Sequence, residues 1–579
     1  MTVLVFDIEA DNLLPNLTKC HCLAIKEMTN DGIELYADVR GYRPITEGLS
    51  RLTGADILVA HNGIGYDCPA LVQLYGDLAD FTRPEIYDTL VASRFYHQEK
   101  RGHSLRALGE ELGFEKSSHD DFTAFSEDMA AYCKRDVEVT AKIFEQLWTG
   151  EITPALALEF RFASIMAMQE QHGFRLDVNK AQALESEFRQ EQFDIERELQ
   201  EHWEPKVIER YSEKTGKRLK DKVEVFNPGS SKQIAERLTE QYGWKPKRYT
   251  PAGSPKIDEA VLNTLKYPEA KSLARYRRLQ KLLGQLSDGD NGWLRHERDG
   301  YVHGSVNTIG TQTHRLSHFS PNMGQVDKKE PRMREVWLPD VGHVLVGVDA
   351  DAIELCCLAS WLYKYDDGEY QEALLHGTKE EGTDVHSRTM RLLEFPERDA
   401  AKTAVYATLY GAGNRKLAQI SREAGGPIKD GAEIRRRINT GIKGFGELSK
   451  AISKRADKGW FKALDGRRIK VDSEHRCLNY LLQSTAAIAM KKALEIFHFD
   501  NAPAAGFICS TSTVNHASTR HYCYVANVHD EIQMTAHADS AEEIGKLMAQ
   551  SITDAGVALG MKCPLSGSVQ IGKNWKETH

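Results

Sequence analysis

The sequence predicts a multidomain chain of mixed α/β and α+β architecture, and three observations carry that prediction. Its 579 residues, 41% of them hydrophobic, can bury several cores, which implies about two to four domains. Hydrophobic periodicity changes along the chain: short buried runs ending in acids occupy the first 150 residues, and long amphipathic helical patterns follow over 154–171 and 180–201. Strand-like runs then return at 344–348 and 522–534. No apolar run approaches the ~20 residues of a membrane span, and the opening MTVLVFDIEAD lacks a basic leader segment and a cleavage site. A cytoplasmic chain without membrane contact is expected. The ten cysteines show no paired zinc spacing, and Cys20-His21-Cys22 is too tight for a structural zinc, so reduced and mostly buried thiols are expected.

Within 1–150, the strand at 3–6 ends in Asp7-Ile8-Glu9, which puts both acids on one side. A second strand at 57–60 runs into His61-Asn62-Gly63-Ile64-Gly65-Tyr66-Asp67. A helix over 129–148 carries Tyr132 and Asp136 four residues apart, hence on one face. Asp7, Glu9, Asp67 and Asp136 could converge on two metal ions, with Tyr132 positioning a water. Taken one at a time, each acid is equally well read as solvated surface.

From 151 to 300 the helical patterns are interrupted by a basic and polar stretch at 206–224, which suggests an arm, and a helix N-cap signal resumes the pattern at Asn227-Pro228-Gly229-Ser230-Ser231. The net charge is −9, yet 411–470 holds 16 Lys/Arg against 6 Asp/Glu, an excess of ten, and 271–282 carries five cations and no acid. Such faces suit a grip on a phosphate backbone; a solvated helix face is the plainer alternative for each.

The segment 310–317 supplies hydroxyls, Gln312 and Arg315, and 321–325 ends in Gln325, groups able to reach minor-groove acceptors. The strand at 344–348 ends at Asp349, with Asp351 and Glu354 before an apolar helix. Arg398, Lys402, Tyr406 and Tyr410 follow at four-residue spacing and form one helical stripe. Its cations could clamp a triphosphate while its aromatics meet sugar and base, or it is simply an exposed stripe. Finally, Asn527-Val528-His529-Asp530-Glu531 stands at the tip of a hairpin with period-2 alternation on both sides. That tip is either a polar turn or half of a Mg²⁺ site completed by Asp349.

Together these motifs resemble known families. Asp7-x-Glu9, the Asn62…Asp67 element and Tyr132…Asp136 resemble the three motifs of DEDDy 3′→5′ exonucleases. Asp349…Glu354, Arg398…Tyr410-Gly411 and Val528–Glu531 resemble motifs A, B and C of family A DNA polymerases. Asn479…Gln483, Thr383-Asp384-Val385-His386 and the FNP pattern at 226–228 also match. In order and spacing the chain is most similar to replicative polymerases of T-odd-type bacteriophages, starting with the proofreading domain and without a 5′-nuclease domain ahead of it. The resemblance implies an RNase H-like 3′→5′ exonuclease domain (1–150) followed by a right-hand polymerase: thumb (151–300), palm (301–375), fingers (376–470) and the rest of the palm (471–579).

It further implies two Mg²⁺ at each site, Mn²⁺ being able to substitute. Asp349, Asp530 and the Ala350 carbonyl would hold one pair, supported by Glu531, and Asp7, Glu9, Asp67 and Asp136 the other. Arg398, Lys402 and His386 would bind the dNTP triphosphate, Glu354 would exclude a ribose 2′-hydroxyl, Tyr406 would lie against the sugar, and Tyr410 would stack at the template position. Arg315, Gln325, Asn479, Gln483 and His529 would contact primer-template. A phage helicase-primase and a single-stranded DNA-binding protein are implied as partners. The segment 206–225 is much shorter than the thioredoxin-recruiting insertion of the best-known phage relative, so no thioredoxin partner is expected. The alternative reading is a 3′→5′ exonuclease with a non-catalytic, polymerase-like DNA-binding region; a DNA-binding factor that has lost both chemistries is a third. His314, Asp327, Cys356 and Asp351-Ala352 depart from the family pattern, and the Ser/Thr-rich segment 502–520, unmatched in the family, reads as a loop.

Overall fold

A computed structural model describes residues 1–100, 102–114, 118–511 and 519–579. The N-terminal unit is built on a five-stranded mixed sheet in the order Ile33–Tyr36, Cys20–Glu27, Val3–Ala10, Ile57–Ala60, Glu85–Asp88. The first strand is central, antiparallel to Cys20–Glu27 and parallel to Ile57–Ala60. Leu4, Phe6, Leu49, Leu58 and Leu71 pack on one face, and Val5, Val59, Met129, Val137 and Phe144 on the other. Covering both faces explains why Ile57–Ala60 is a continuous apolar run rather than an alternating one. Helix Glu127–Leu147, capped by the Ser126 hydroxyl accepting from the Met129 amide at 3.1 Å, lies across the second face.

Helix Pro154–His172 starts with Thr153 as cap and proline in its first turn, and Val178–His202 runs on from Asp177. The stretch 206–224, read as a basic and polar interruption suggesting an arm, is a hairpin of Lys206–Tyr211 and Arg218–Glu224 with Val207 opposite Val223. Its β-branched and aromatic residues sit among charges on both faces, and that charge masked the strand signal. The expected N-cap beyond it is present: Ser230 accepts from the Gln233 amide at 3.3 Å to start Ser231–Tyr242.

The basic helix Ala270–Leu283 corrects a second expectation. Arg275 pairs with Glu191 and Glu330, Arg278 with Glu259 and Asp327, and Lys281 with Asp327. Most of its charge is consumed inside the protein. Asp327, one of the departures from the family pattern, is the anion that Arg278 and Lys281 share.

A second five-stranded sheet has the order Ile508–Cys509, His521–Val528, Glu531–His537, His343–Ala350, Gly567–Gly572, with only the first pair parallel. The expected alternation does not hold here: Tyr522 to Val528 and Glu531 to Ala536 are buried at every position, because helices cover both faces. Val346, Ile532 and Met534 of this sheet share one apolar cluster with Leu358, Leu393, Leu409, Ile438 and Leu482, so the helices of 353–453 and the sheet belong to one continuous core. Of the expected loop 502–520, Ala502–Ala504 is helical and Ile508–Cys509 is a strand; residues 512–518 lie outside the described ones. Among the described residues no helix is long and apolar enough to cross a membrane.

Candidate active sites

In the C-terminal sheet, Asp349 lies opposite Glu531 in the antiparallel register, and the Ala350 amide donates to the Asp530 carbonyl at 3.0 Å. The strands are joined by His529-Asp530, with His529 at φ +62°, a two-residue connection that holds Asp530 beside Asp349. Enclosure by the protein, then the charges of Asp530 and Glu531, push the Asp349 carboxyl up to about 6. The crowding of oxygen anions fits a hard divalent cation.

Glu531 is different in kind. Burial raises its pKa, but His579 Nδ1 at 2.6 Å, Arg334 and the Trp575 indole N–H outweigh that and hold the carboxyl below its usual range. Gln533 donates to it as well, at 2.9 Å. A carboxylate so fully engaged acts as a support, as expected. His579, Trp575 and Arg334 were missed in the sequence as parts of this site.

Helix Arg398–Leu409 places the stripe as its spacing requires. Arg398 is gripped by Asp384, Nε at 3.1 Å and Nη2 at 2.8 Å. Asp384 also caps Val385–Leu393 through the amides of His386 and Ser387, and although burial opposes it, these contacts hold its carboxyl down at about 2. Buried His386 is kept neutral, first by burial and then by Arg398 and Lys402. Lys402 is exposed, with no ion pair among the described residues. The Tyr406 ring lies 6.3 Å from His386 and 6.5 Å from Tyr410, near-parallel to the latter at 24°. The Tyr410 hydroxyl donates to Glu354, 2.5 and 2.6 Å from its two oxygens, and Arg315 Nη2 donates to Glu354 Oε1 at 2.9 Å. Arg315, Glu354 and Tyr410 are thereby linked at the mouth of the site.

Gln483 accepts from the Thr313 hydroxyl at 3.3 Å, which joins helix Cys477–Ile496 to the Arg315 segment, and Asn479 lies one turn before it. Gln325 is exposed, its carbonyl accepting from Gln285, just past the basic helix, at 2.6 Å. His314, at φ +59°, turns into the interior, where its Nδ1 accepts from Arg467 at 2.9 Å and its ring meets Phe95 edge-on at 5.5 Å. A side chain at this left-handed position is thus held by packing. Buried Cys356 donates to the Asp351 carbonyl, and Asp351 accepts from Ser566 and Ser568, so these departures from the pattern form local ties.

In the N-terminal unit, ligand atoms of Asp7, Glu9 and Cys133 lie within 4.8 Å of one another. Asp67 accepts from the Ile8 amide at 3.3 Å; burial, then the charges of Asp88 and Asp136, push it up to about 7. Asp67 is thus tied to Ile8, between Asp7 and Glu9, Asp136 is near enough for its charge to raise Asp67, and Cys133 is a neighbour the sequence did not single out. Tyr132 lies 5.8 Å from the His119 ring. Asp88 was also missed: buried, it accepts from the amides of Asn62 (3.2 Å), Ile64 (3.1 Å), Leu90 (2.9 Å) and Val91 (3.2 Å), fixing the loop that carries Asp67.

Asp349 and Asp67 bind protons more readily folded than unfolded, so their ionisation weakens the fold as pH rises from about 4 to about 7. A divalent cation in the proton's place reverses that sign. Mg²⁺ is therefore expected to raise the unfolding temperature more at high pH than at low pH, and EDTA to cancel the gain. Equal Mg²⁺ shifts above and below this range in thermal unfolding would contradict cation binding at these carboxylates.

Two carboxylate clusters on two mixed sheets, one beside a cationic and aromatic helix, define a two-site α/β protein. Its fold matches the POL domain of Pol1 from M. smegmatis in complex with DNA primer-template and dNTP, with a TM-score of 0.76 over 99% of this chain and 96% of that one, at 18% identity. The chain belongs to DNA polymerase family A, whose family model matches residues 197–577. It is similar over 100% of both lengths to the DNA-directed DNA polymerases of Enterobacteria phage T3 and Escherichia phage T7, at 28% identity to each. It is also similar to DNA polymerase I of Aquifex aeolicus, at 24% identity over 91% of this chain and 89% of that one.

Proposed function

We propose that this chain is a DNA-directed DNA polymerase that replicates phage DNA in the cytoplasm of the infected host and proofreads with a 3′→5′ exonuclease. The observation that carries it is Asp349, opposite Glu531 at a strand end, beside Asp530 of the connecting turn, whose charge also reaches Tyr406 of the Arg398–Leu409 helix. On this reading residues 1–150 are the exonuclease domain, 151–300 the thumb, 301–375 and 471–579 the palm and 376–470 the fingers. Two Mg²⁺ at each site would be held by Asp349, Asp530 and the Ala350 carbonyl, and by Asp7, Glu9, Asp67 and Asp136, supplying Lewis-acid stabilisation of the attacking and leaving oxygens.

The chain's own groups do the rest. Arg398, oriented by Asp384, and exposed Lys402 bind the triphosphate with neutral His386 beside them. Tyr406 and Glu354 bound the sugar. The Tyr410 ring stacks at the template-base position, its hydroxyl tied to Glu354. Arg315, Asn479, Gln483 and His529 line the primer-template path, and Tyr132 orients the exonuclease water.

The test is a 5′-labelled primer-template with Mg²⁺ and wild-type protein. Extension with dNTPs, shortening without them, and loss of both in EDTA are expected. Shortening without extension would overturn the reading in favour of a nuclease with a polymerase-shaped DNA grip. Two further outcomes are expected at the nucleotide. Glu354→Ala should relax discrimination against ribonucleotides by roughly 10- to 100-fold, read by single-nucleotide extension with matched dNTP and rNTP. The Tyr406 hydroxyl can stand in for a missing 3′-hydroxyl, so dideoxynucleotides should be incorporated readily and Tyr406→Phe should suppress them; unchanged discrimination in that variant contradicts the role.

A further inference from the structure

Much of the charge of 411–470 is consumed: Arg436 and Arg437 pair with Glu433, Lys443 with Glu369, Arg467 with Glu159 and Asp465, and Lys470 with Glu99. A cluster beside them is not. Lys364, Arg455, Lys458 and Lys462 are exposed, in no ion pair among the described residues, and ring a cleft of about 290 Å³. Aromatic rings stand among its aliphatic walls of Leu448, Ala451, Ile452 and Leu481, with Lys364 Nζ 4.6 Å over Tyr365. Trp361 is fixed by its indole N–H donating to the Thr485 hydroxyl at 3.0 Å; Tyr365 and Trp460 complete them, with Arg468 lying over Trp460 at 4.5 Å.

The position is informative. Helix Ile353–Asp366 carries Glu354 at its start and Trp361 to Tyr365 toward its end, roughly 10–16 Å further along its axis. Leu481, in the cleft, belongs to the helix Cys477–Ile496, whose Gln483 is joined through Thr313 to the Arg315 segment. The cleft therefore lies next to the site but outside it. Isolated phosphates need only cations; rings interleaved with cations match a chain of bases and phosphates.

We propose that this cleft binds the single-stranded 5′ side of the template, rings stacking on a base while Lys364, Arg455, Lys458 and Lys462 meet its phosphates. The inference rests on the polymerase reading above. It is tested by fluorescence anisotropy on primer-templates with a template overhang of about 2 or about 15 nucleotides, shorter and longer than a single-strand footprint. Wild-type protein should bind the long overhang roughly 10-fold tighter, and Lys458→Glu/Lys462→Glu should erase that gain and lower the salt slope by about 0.7 for each phosphate no longer neutralised. Trp460→Ala should cut the gain by roughly 5-fold with the salt slope retained. Binding and extension on the short overhang should be unchanged in all variants. Equal affinity for both overhangs in wild type, or a gain that survives charge reversal, overturns the proposal while extension of the short overhang still upholds the polymerase reading. A labelled glutamate-rich peptide that binds wild type but not the charge-reversed variant, with no overhang effect, overturns it in favour of an acidic protein partner. Failure of wild type to extend any substrate overturns both readings.

Discussion

Asp530→Ala is expected to abolish primer extension and spare shortening, and Asp7→Ala to do the reverse. Asp530 sits beside Asp349, whose pKa is raised first by burial and then by the charges of Asp530 and Glu531, which His579 and Lys328 only partly offset. Removing one of two such ligands forfeits several kcal/mol of stabilisation on the attacking and leaving oxygens, a loss of about 1,000-fold or more in rate. Asp7 is the same kind of group within ligand distance of Glu9. The two clusters lie on separate sheets with separate cores, so neither variant should disturb the other site. Labelled primer incubated with and without dNTPs reads both activities in one assay. Loss of both activities in either variant, with the fold intact by circular dichroism, would mean that the sites are not independent.

The acids of both sites were legible because each follows a buried strand or rides a helix, and periods of 2 and 3.6 fix which side chains share a face. The same holds for Arg398 to Tyr410. What sequence reading misses is the partner of each such group. Asp384 is legible as an N-cap before Val385, but its second role, gripping Arg398, depends on two helices meeting. Asp88 fixes the Asp67 loop from a neighbouring strand, and His579 reaches Glu531 from the far end of the chain. Charge was misread for the same reason: 271–282 looks like a phosphate grip until Asp327, Glu191 and Glu330 are brought to it by folding. The hairpin at 206–224 was obscured because charges fall on both faces of an exposed ribbon, without a buried face to give it period 2.

Glu159→Ala is expected to be among the most destabilising single substitutions, costing about 3–5 kcal/mol. The fully buried Glu159 carboxylate accepts from Arg467 Nη1 and, at 2.9 and 2.7 Å, from Lys491 Nζ. Without it, two buried cations face each other with only Asp465 to offset them. Burial already pulls Lys491 down to about 8, so the folded state gives up this proton before the unfolded state does, and stability rises as pH climbs from about 8 toward 10.5. The Glu159→Ala deficit should therefore narrow in alkaline buffer, where Lys491 sheds its charge. The double variant Glu159→Leu/Lys491→Met removes the anion with one of the cations, leaves Arg467 to Asp465, and should recover most of the loss in urea and thermal unfolding. The effect also reaches the chemistry. Arg467 donates to His314, which precedes the Arg315 that meets Glu354, and the same guanidinium lies 5.3 Å over Phe95 of the N-terminal unit. Loosening this cluster should weaken extension in the single variant and restore it in the double. A single variant as stable as wild type at neutral pH would show that water or rearrangement compensates the stranded cations, and that the junction between the two units does not depend on this ion cluster.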